Sequence, residues 1–326
     1  MKTLFSGARP SGVIHIGNYL GAIKNWIALQ NSYKSIFSVV DMHAITTDFE
    51  PNVLKENILN TATIYLSCGV DPKKSIIFIQ SQVSEHSELA WILGAITPFH
   101  NLGQMTQFKE KSRGKKTFSA GLLNYPLLQA ADILLYKTNL IPIGEDQKQH
   151  LEFARDVAIR FNNKFGEIFT IPELYIIKET TRIMAFDNPL QKMAKSAESK
   201  YNYISLLDSP VEIKEKIKKA VTDSGKEIKY DKENKPAISN MLNIMFGITD
   251  INIKELENKY ADANYHEFKN DLAEELIKFL EPIQEKYEYY KNNQKEVCEI
   301  LEQGKKEAKK IAEKTMEEVR IKIGFI

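Results

Sequence analysis

From Lys2 to about residue 190, short apolar runs alternate with stretches of helical length, and this alternation restricts the fold more than any other property of the 326-residue chain. Lys2–Ser6, Ser35–Val40, Ser75–Gln80 and Leu140–Ile143 have the length and apolar content of strands. Asn18–Gln30, Pro51–Cys68, Glu85–Ile96 and Tyr125–Tyr136 lie between them with helical length and spacing. Repetition of strand, helix, strand is the pattern of crossover units, which set strands parallel and cover the sheet with helices. Pro72 and Pro98 fall between elements, where a proline cannot interrupt them. The expected class is α/β, with a doubly wound parallel sheet.

After residue 190 the strand pattern fades. Val211–Lys219, Ser239–Phe246, Lys254–Tyr260, Phe268–Leu280 and a tail from Ile283 to about Ile323 carry helical spacing with Lys/Glu-rich faces, so a second, all-helical region is expected. Across the whole chain 44 Lys plus Arg stand against 43 Asp plus Glu, a net charge of +1, which excludes a protein that coats nucleic acid through bulk charge. Cys68 and Cys298 belong to no CxxC or Cys/His cluster, and reduced structural thiols are the expectation. The first residues are too short an apolar run for a signal peptide, and no stretch approaches membrane-span length; a soluble, cytoplasmic protein with no membrane partner is expected.

Two motifs carry chemistry. Ser6-Gly7-Ala8-Arg9-Pro10-Ser11-Gly12-Val13-Ile14-His15-Ile16-Gly17-Asn18 follows the first strand and enters a helix. Such a loop lets a nucleotide approach the backbone with its phosphates near a helix N-terminus. His15 and Asn18, three apart, share a face there and can both donate to phosphate oxygens, while Gly17 leaves room for an adenine ring. Taken alone, an ordinary buried histidine fits the same pattern. The second motif is Gln191-Lys192-Met193-Ala194-Lys195-Ser196. Its two lysines, three apart, can wrap a polyphosphate, with Ser196 adding a hydroxyl; a solvated basic turn would look the same.

Together the two motifs resemble the paired signatures of class I aminoacyl-tRNA synthetases. Between them, in order, come Val40-Asp41-Met42-His43-Ala44, Met105-Thr106-Gln107-Phe108-Lys109-Glu110-Lys111, Tyr125-Pro126, Ala130-Ala131-Asp132 and Gly144-Glu145-Asp146-Gln147-Lys148-Gln149-His150. With Ala220-Val221-Thr222-Asp223-Ser224 in the helical region, this set closely resembles the bacterial tryptophanyl-tRNA synthetases over essentially the whole chain.

The resemblance implies a Rossmann-like catalytic domain over 1–190 plus 286–326, and a helical anticodon-binding domain over 191–285. It implies joining of tryptophan to ATP as an aminoacyl-adenylate, then transfer to tRNA(Trp), by a homodimer. Mg²⁺ would be carried by the nucleotide, since no cage of carboxylates is visible. By position match, Arg9, Pro10, Ser11, Gly17 and Asn18 would line the ATP site with His15 near the phosphates. Gly144, Glu145 and Asp146 would hold the ribose, and Ile183 would lie near adenine. Lys192 and Lys195, in a loop completed by Met193, Ala194 and Ser196, would grip pyrophosphate with support from Lys111. Phe5, Gly7, Val40, His43, Ile141 and Ile143 would wall the indole, and Tyr125 and Gln147 would meet the ammonium and carboxylate. Asp132 would accept a hydrogen bond from the indole N–H.

Two positions depart from the usual pattern. Ala194 stands where a serine is usual, and Gln129 where many relatives place methionine beside the indole. Gln129 also echoes tyrosyl enzymes, which makes tyrosine the nearest rival substrate. The tyrosyl counterpart should read Gly-Ser-Asp-Gln where this chain has Gly144-Glu145-Asp146-Gln147. A synthetase-like protein without activity is the other alternative, and the presence of His15, Asn18, Lys192, Lys195 and Asp132 speaks against it.

Overall fold

The computed structural model describes residues 1–114, 117–142, 148–175, 182–194, 197 and 199–325. Five strands form one sheet: β1 (Thr3–Ala8), β2 (Lys34–Val39), β3 (Ser75–Ile79), β4 (Leu140–Pro142) and β5 (Glu173–Tyr175). Their order is β3-β2-β1-β4-β5, and every pairing is parallel. Residues 35–39 and 75–79 are buried without alternation, as a sheet covered on both faces requires. From β1 the chain builds outward to β3, then returns to add β4 on the other side of β1. That reversal makes the carboxyl ends of β1 and β4 the crevice where a doubly wound sheet takes its ligand.

The Pro51–Cys68 and Glu85–Ile96 helices have the bounds expected from spacing. The next helix does not open at Tyr125-Pro126. It begins at Ala120, where the Ser119 hydroxyl accepts the Leu122 N–H at 3.2 Å, and Pro126 lies inside it. Proline is favoured in a first helical turn, so the pattern pointed to the wrong residue, and the serine cap lies six residues upstream of Tyr125. The expected Asn18–Gln30 helix is interrupted by a π-helical turn at Tyr19–Ile23. β5 was not anticipated, since three residues after Pro172 are too few for a period to register.

Packing divides the chain into two compact units. The first comprises Met1–Ser11, Trp26–Ile177 and Asn293–Ile326; the second comprises Gly12–Asn25 and Lys178–Asn292. This division differs from the expected functional one at 190 and 286. Within the second unit Ile14 and Ile16 run against Ile204 and Leu206: the Ile16 N–H donates to the Ile204 carbonyl at 2.9 Å, and the Leu206 N–H to the Ile14 carbonyl at 3.1 Å. The segment after β1 is thereby bonded to the chain beyond 190. The expected single tail helix is also two helices, because Tyr265–Asn292 runs through Pro282 and a new helix starts at Gln294. The second unit is otherwise helical, with Pro210–Lys219, Pro236–Thr249 and Ile253–Lys259. A reciprocal capping box between Ser209 and Glu212 opens the first of these.

In the first unit the Gln294–Ile323 helix packs on β3 and on the Glu85–Ile96 helix. Arg320 donates to both carboxylate oxygens of Glu88, at 2.7 and 2.5 Å, and Lys137 pairs with Glu318 at 2.7 Å. Gly304 allows this approach: a Cβ there would stand 1.9 Å from the Ile77 carbonyl oxygen. Among the described residues no helix is long and apolar enough to cross a membrane. Gly304→Ala should destabilise the chain by about 1–3 kcal/mol or more through forced displacement of the helix. Gly103→Ala, where a Cβ meets nothing within 4 Å, should stay within about 0.5 kcal/mol. Urea denaturation of both variants checks the contrast.

Candidate active site

At the carboxyl ends of β1 and β4 lies a cavity of about 420 Å³ in the first unit. Phe5, Ser6, Gly7 and Arg9 line it from β1 and the residues after it; Val40 and His43 from the turn and short helix after β2; Ile141 from β4. Tyr125, Gln129, Asp132 and Ile133 complete it from the Ala120–Leu134 helix, where a spacing of four, then three or four, puts them on one face. Thr46, Gln107 and Lys111 close the lining. Gly7 is required for close packing of the sheet, since a Cβ there would approach the Ser38 carbonyl to 2.6 Å. A volume of this size suits a small ligand with a large side chain.

Asp132 sits on this wall at 2% exposure. Its Oδ1 accepts from Gln80 Nε2 at 2.7 Å and from His86 Nδ1 at 2.6 Å, and its Oδ2 from His43 Nε2 at 2.8 Å. Gln80 is oriented by its other end, whose Oε1 accepts the Met42 N–H at 3.1 Å. Burial by itself raises the Asp132 pKa, but the hydrogen bonds from His43 and His86, with their electrostatic attraction, outweigh it and bring the pKa down to about 2. The group is therefore an ionised acceptor on the wall of a cavity with both polar and apolar lining. Tyr125 is tied by its hydroxyl to His150 Nε2 at 2.6 Å. Burial pushes its phenol up to about 12, eased by the positive charge of Arg9. Lys111 Nζ lies 5.9 Å from the centre of the Tyr125 ring.

In the second unit a different group assembles. His15 is the N-cap of the Ile16–Asn18 turn, and Asn18 Oδ1 accepts its backbone N–H at 3.2 Å. A Cβ on Gly17 would lie 3.1 Å from His15 Nδ1 and 3.3 Å from Met193 Sδ, so the histidine loop and the lysine loop meet here. The lysine loop is braced as a hairpin across Asn188-Pro189. The Met193 N–H donates to the Ile183 carbonyl at 3.2 Å and the Ala185 N–H to the Gln191 carbonyl at 2.8 Å, with Lys192 opposite Met184. Asn202 Oδ1 holds the Ala194 N–H at 3.1 Å. His15, Gly17, Asn18, Ile183, Lys192, Met193 and Ala194 thus share one unit, although the expected boundary at 190 put the two motifs in different domains.

The family described as tRNA synthetases class I (W and Y) matches residues 1–281. The chain belongs to this family. A tryptophan–tRNA ligase of Caldanaerobacter subterraneus is 51% identical over 326 residues, covering 100% of this chain and 99% of the relative. The crystal structure of tryptophanyl-tRNA synthetase from Mycoplasma pneumoniae superposes with a TM-score of 0.93 at 35% identity, over 100% of this chain and 98% of that one. The Campylobacter jejuni enzyme, solved in complex with ADP and tryptophan, superposes with a TM-score of 0.84 at 37% identity over the whole of both chains.

Set against the expected synthetase site, Phe5, Gly7, Val40, His43, Tyr125, Gln129, Asp132 and Ile141 converge on the cavity. Arg9 and Lys111, expected at the nucleotide, line that cavity too, while Pro10 and Ser11 lie in the same unit just after β1. Ile143, Gly144, Glu145, Asp146, Gln147, Lys195 and Ser196 fall outside the described residues. Sequence reasoning missed Gln80 and His86. For His86 a signal existed: it lies three and seven residues before Leu89 and Leu93, on the face that this synthetase helix buries. A histidine in an apolar stripe needs a partner, and the partner here is Asp132.

The depressed Asp132 pKa has a measurable consequence. An unfolded aspartate titrates near 3.9, so the stability gained from its native ionisation is complete above about pH 5 and is lost as pH falls toward the folded value. Measured by urea denaturation, the stability difference between wild type and Asp132→Asn should shrink by about 1 kcal/mol from pH 5 to pH 3. A difference that stays constant over that range would mean that the native carboxyl titrates at its unfolded value, and one that grows toward low pH would mean that it is held neutral.

Proposed function

We propose that this synthetase is a tryptophan–tRNA ligase, activating L-tryptophan with ATP and transferring it to tRNA(Trp). The observation that carries the reading is the ionised Asp132 carboxylate on the wall of a cavity where Phe5, Tyr125, Val40, Ile133 and Ile141 supply apolar surface beside polar side chains. An indole N–H can donate to it; phenylalanine has no donor, and tyrosine carries its hydroxyl at a different reach. A site that must satisfy a buried polar group discriminates by about 10⁴–10⁵, enough without editing. The full-length likeness to tryptophan–tRNA ligases supports the same reading.

In this reading the tryptophan carboxylate attacks the α-phosphorus of ATP in line. A bond forms from carboxylate oxygen to phosphorus, the bond from that phosphorus to the bridging oxygen breaks, and pyrophosphate leaves. The aminoacyl group then passes to the terminal ribose of the tRNA, releasing AMP. No protein nucleophile is required, so positioning and neutralisation of phosphate charge do the catalytic work. Phe5, Gly7, Val40, His43, Gln129, Ile141 and Ile143 enclose the side chain, and Tyr125 and Gln147 face the ammonium and carboxylate. Arg9 and Lys111 supply positive charge at the same cavity, where the reacting carboxylate and α-phosphate must meet. Pro10, Ser11, Gly17, Ile183 and Gly144, Glu145 and Asp146 seat the nucleoside; His15, Asn18, Lys192 and Lys195 act on the phosphates. Met193, Ala194 and Ser196 shape that loop. Mg²⁺ enters as part of the ATP substrate.

Residues 1–190 with 286–326 form the catalytic part, and 191–285 carry the anticodon-recognition surface. The protein works in the cytoplasm as a homodimer. Trp91 and Phe99, 80% and 73% exposed, are large apolar side chains of the kind a subunit contact would cover.

Amino-acid-dependent ATP–pyrophosphate exchange with each of the twenty amino acids tests the assignment: tryptophan alone should support it, and exchange with tyrosine instead would overturn it. Asp132→Ala should raise the tryptophan KM by about 10²-fold or more while leaving the ATP KM near wild type. Lys192→Ala should lower kcat for exchange by about 10²-fold with little change in the tryptophan KM, as expected for a group acting on the transition-state phosphate.

A further inference from the structure

Asp132 has two oxygens and about four acceptor positions. Oδ1 is filled by two donors that come from behind the cavity wall, Gln80 at 2.7 Å and His86 at 2.6 Å. Oδ2 receives His43 at 2.8 Å and has no second donor among the described residues. Among the described residues the carboxylate therefore has one open acceptor position, on the oxygen that His43, a cavity residue, also holds. Which oxygen stays open depends on His86 and Gln80, neither of which lines the cavity.

His86 is itself fixed at both ends. An ionised carboxylate can only accept, so Nδ1 carries the hydrogen that points to Asp132. At 2.8 Å from Nε2 lies the Tyr136 hydroxyl. Burial and the neighbouring negative charge of Asp132 push that phenol well above its ordinary pKa, so it keeps its proton and pairs with Nε2 as a neutral hydroxyl. His86 is 0% exposed, and the Phe78 and Tyr136 rings lie 5.8 and 5.5 Å from it. Tyr136 is also stacked on Phe5 with centroids 5.6 Å apart, so one side chain backs both a cavity wall and the imidazole.

We propose that His86, braced by Tyr136, is a positioning residue for amino-acid selection: it occupies Asp132 Oδ1 from behind and so leaves a single acceptor position, on Oδ2, facing the ligand. This rests on the assignment of Asp132 to the indole N–H. Without the Nδ1 donor, Oδ1 has a vacant acceptor position. The carboxylate can then turn about its last bond, and a hydroxyl arriving from another direction, such as that of tyrosine, finds a partner. The consequence is weaker tryptophan binding together with weaker rejection of tyrosine, with the chemical step left largely intact.

The test uses the full chain and ATP–pyrophosphate exchange with tryptophan and with tyrosine, resolving kcat from KM. His86→Leu removes the donor, and His86→Asn returns an amide N–H near the Nδ1 position without the bond to Tyr136. Tyr136→Phe removes only the hydroxyl. His86→Leu should raise the tryptophan KM and lower the tryptophan-to-tyrosine ratio of kcat/KM, each by about 10- to 100-fold. Its kcat and ATP KM should stay within about threefold of wild type. His86→Asn should recover most of that loss, and Tyr136→Phe should fall between it and wild type; if the leucine variant does not fold, a folded Tyr136→Phe with wild-type tryptophan KM and selectivity overturns the proposal. A folded His86→Leu with wild-type tryptophan KM and selectivity overturns the proposal. So does a folded His86→Asn whose KM and selectivity show no change from those of His86→Leu, since the effect would then be one of packing. Failure of the underlying assignment looks different: the wild-type chain itself would exchange with tyrosine and not with tryptophan.

Discussion

A carboxylate held out of water costs several kcal/mol unless donors replace its hydration, and the first unit is organised around meeting that demand at Asp132. The donors come from three places in the chain. Gln80 follows β3, His43 sits in the turn after β2, and His86 opens the Glu85–Ile96 helix. They reach one carboxylate only if β2 and β3 lie side by side and the Ala120–Leu134 helix packs against the helix carrying His86. The short helix bearing His43 is held in turn by Asp41, whose oxygens take the Ser81 N–H at 2.9 Å and the Ser81 hydroxyl at 2.5 Å. The site and the crossover topology are thus one requirement seen at two scales.

Charge is distributed by task. The chain is close to neutral overall, so affinity for nucleotide and nucleic acid must come from local placement. Arg9 and Lys111 stand at the cavity of the first unit, while Lys192 stands in a hairpin of the second, next to Met193, whose sulfur meets Gly17. Neither group depends on net charge. Each depends on a backbone device: the glycine and turn after β1 in one case, the Ile183–Met193 pairing in the other.

Much of this was legible from residue order. Alternation of apolar runs with helical stretches predicted four of the five parallel strands, and the bounds of Pro51–Cys68 and Glu85–Ile96 followed from spacing. The family signatures picked out eight residues that converge on the cavity. What was not legible has specific causes. β5 is three residues long, the true start of the Ala120–Leu134 helix was masked by Pro126, and Pro282 does not break the helix it lies in. Arg9 and Lys111 were assigned to the nucleotide by position match to the family, and that they also line the cavity of the first unit is a matter of packing that residue order does not show.

The order of residues by itself determined the alternation of strands and helices, with the parallel crossover class it implies, and the kinds of side chain available at the end of β1. These follow from local rules, since periodicity and turn chemistry act over a few residues. Only the tertiary structure decided that Gln80, His43 and His86, lying 52, 89 and 46 positions from Asp132, would fill three of its acceptor positions. The physical reason is that a buried charge is satisfied by whatever donors packing brings within about 3 Å, and that distance is a property of the folded core, not of any window of sequence.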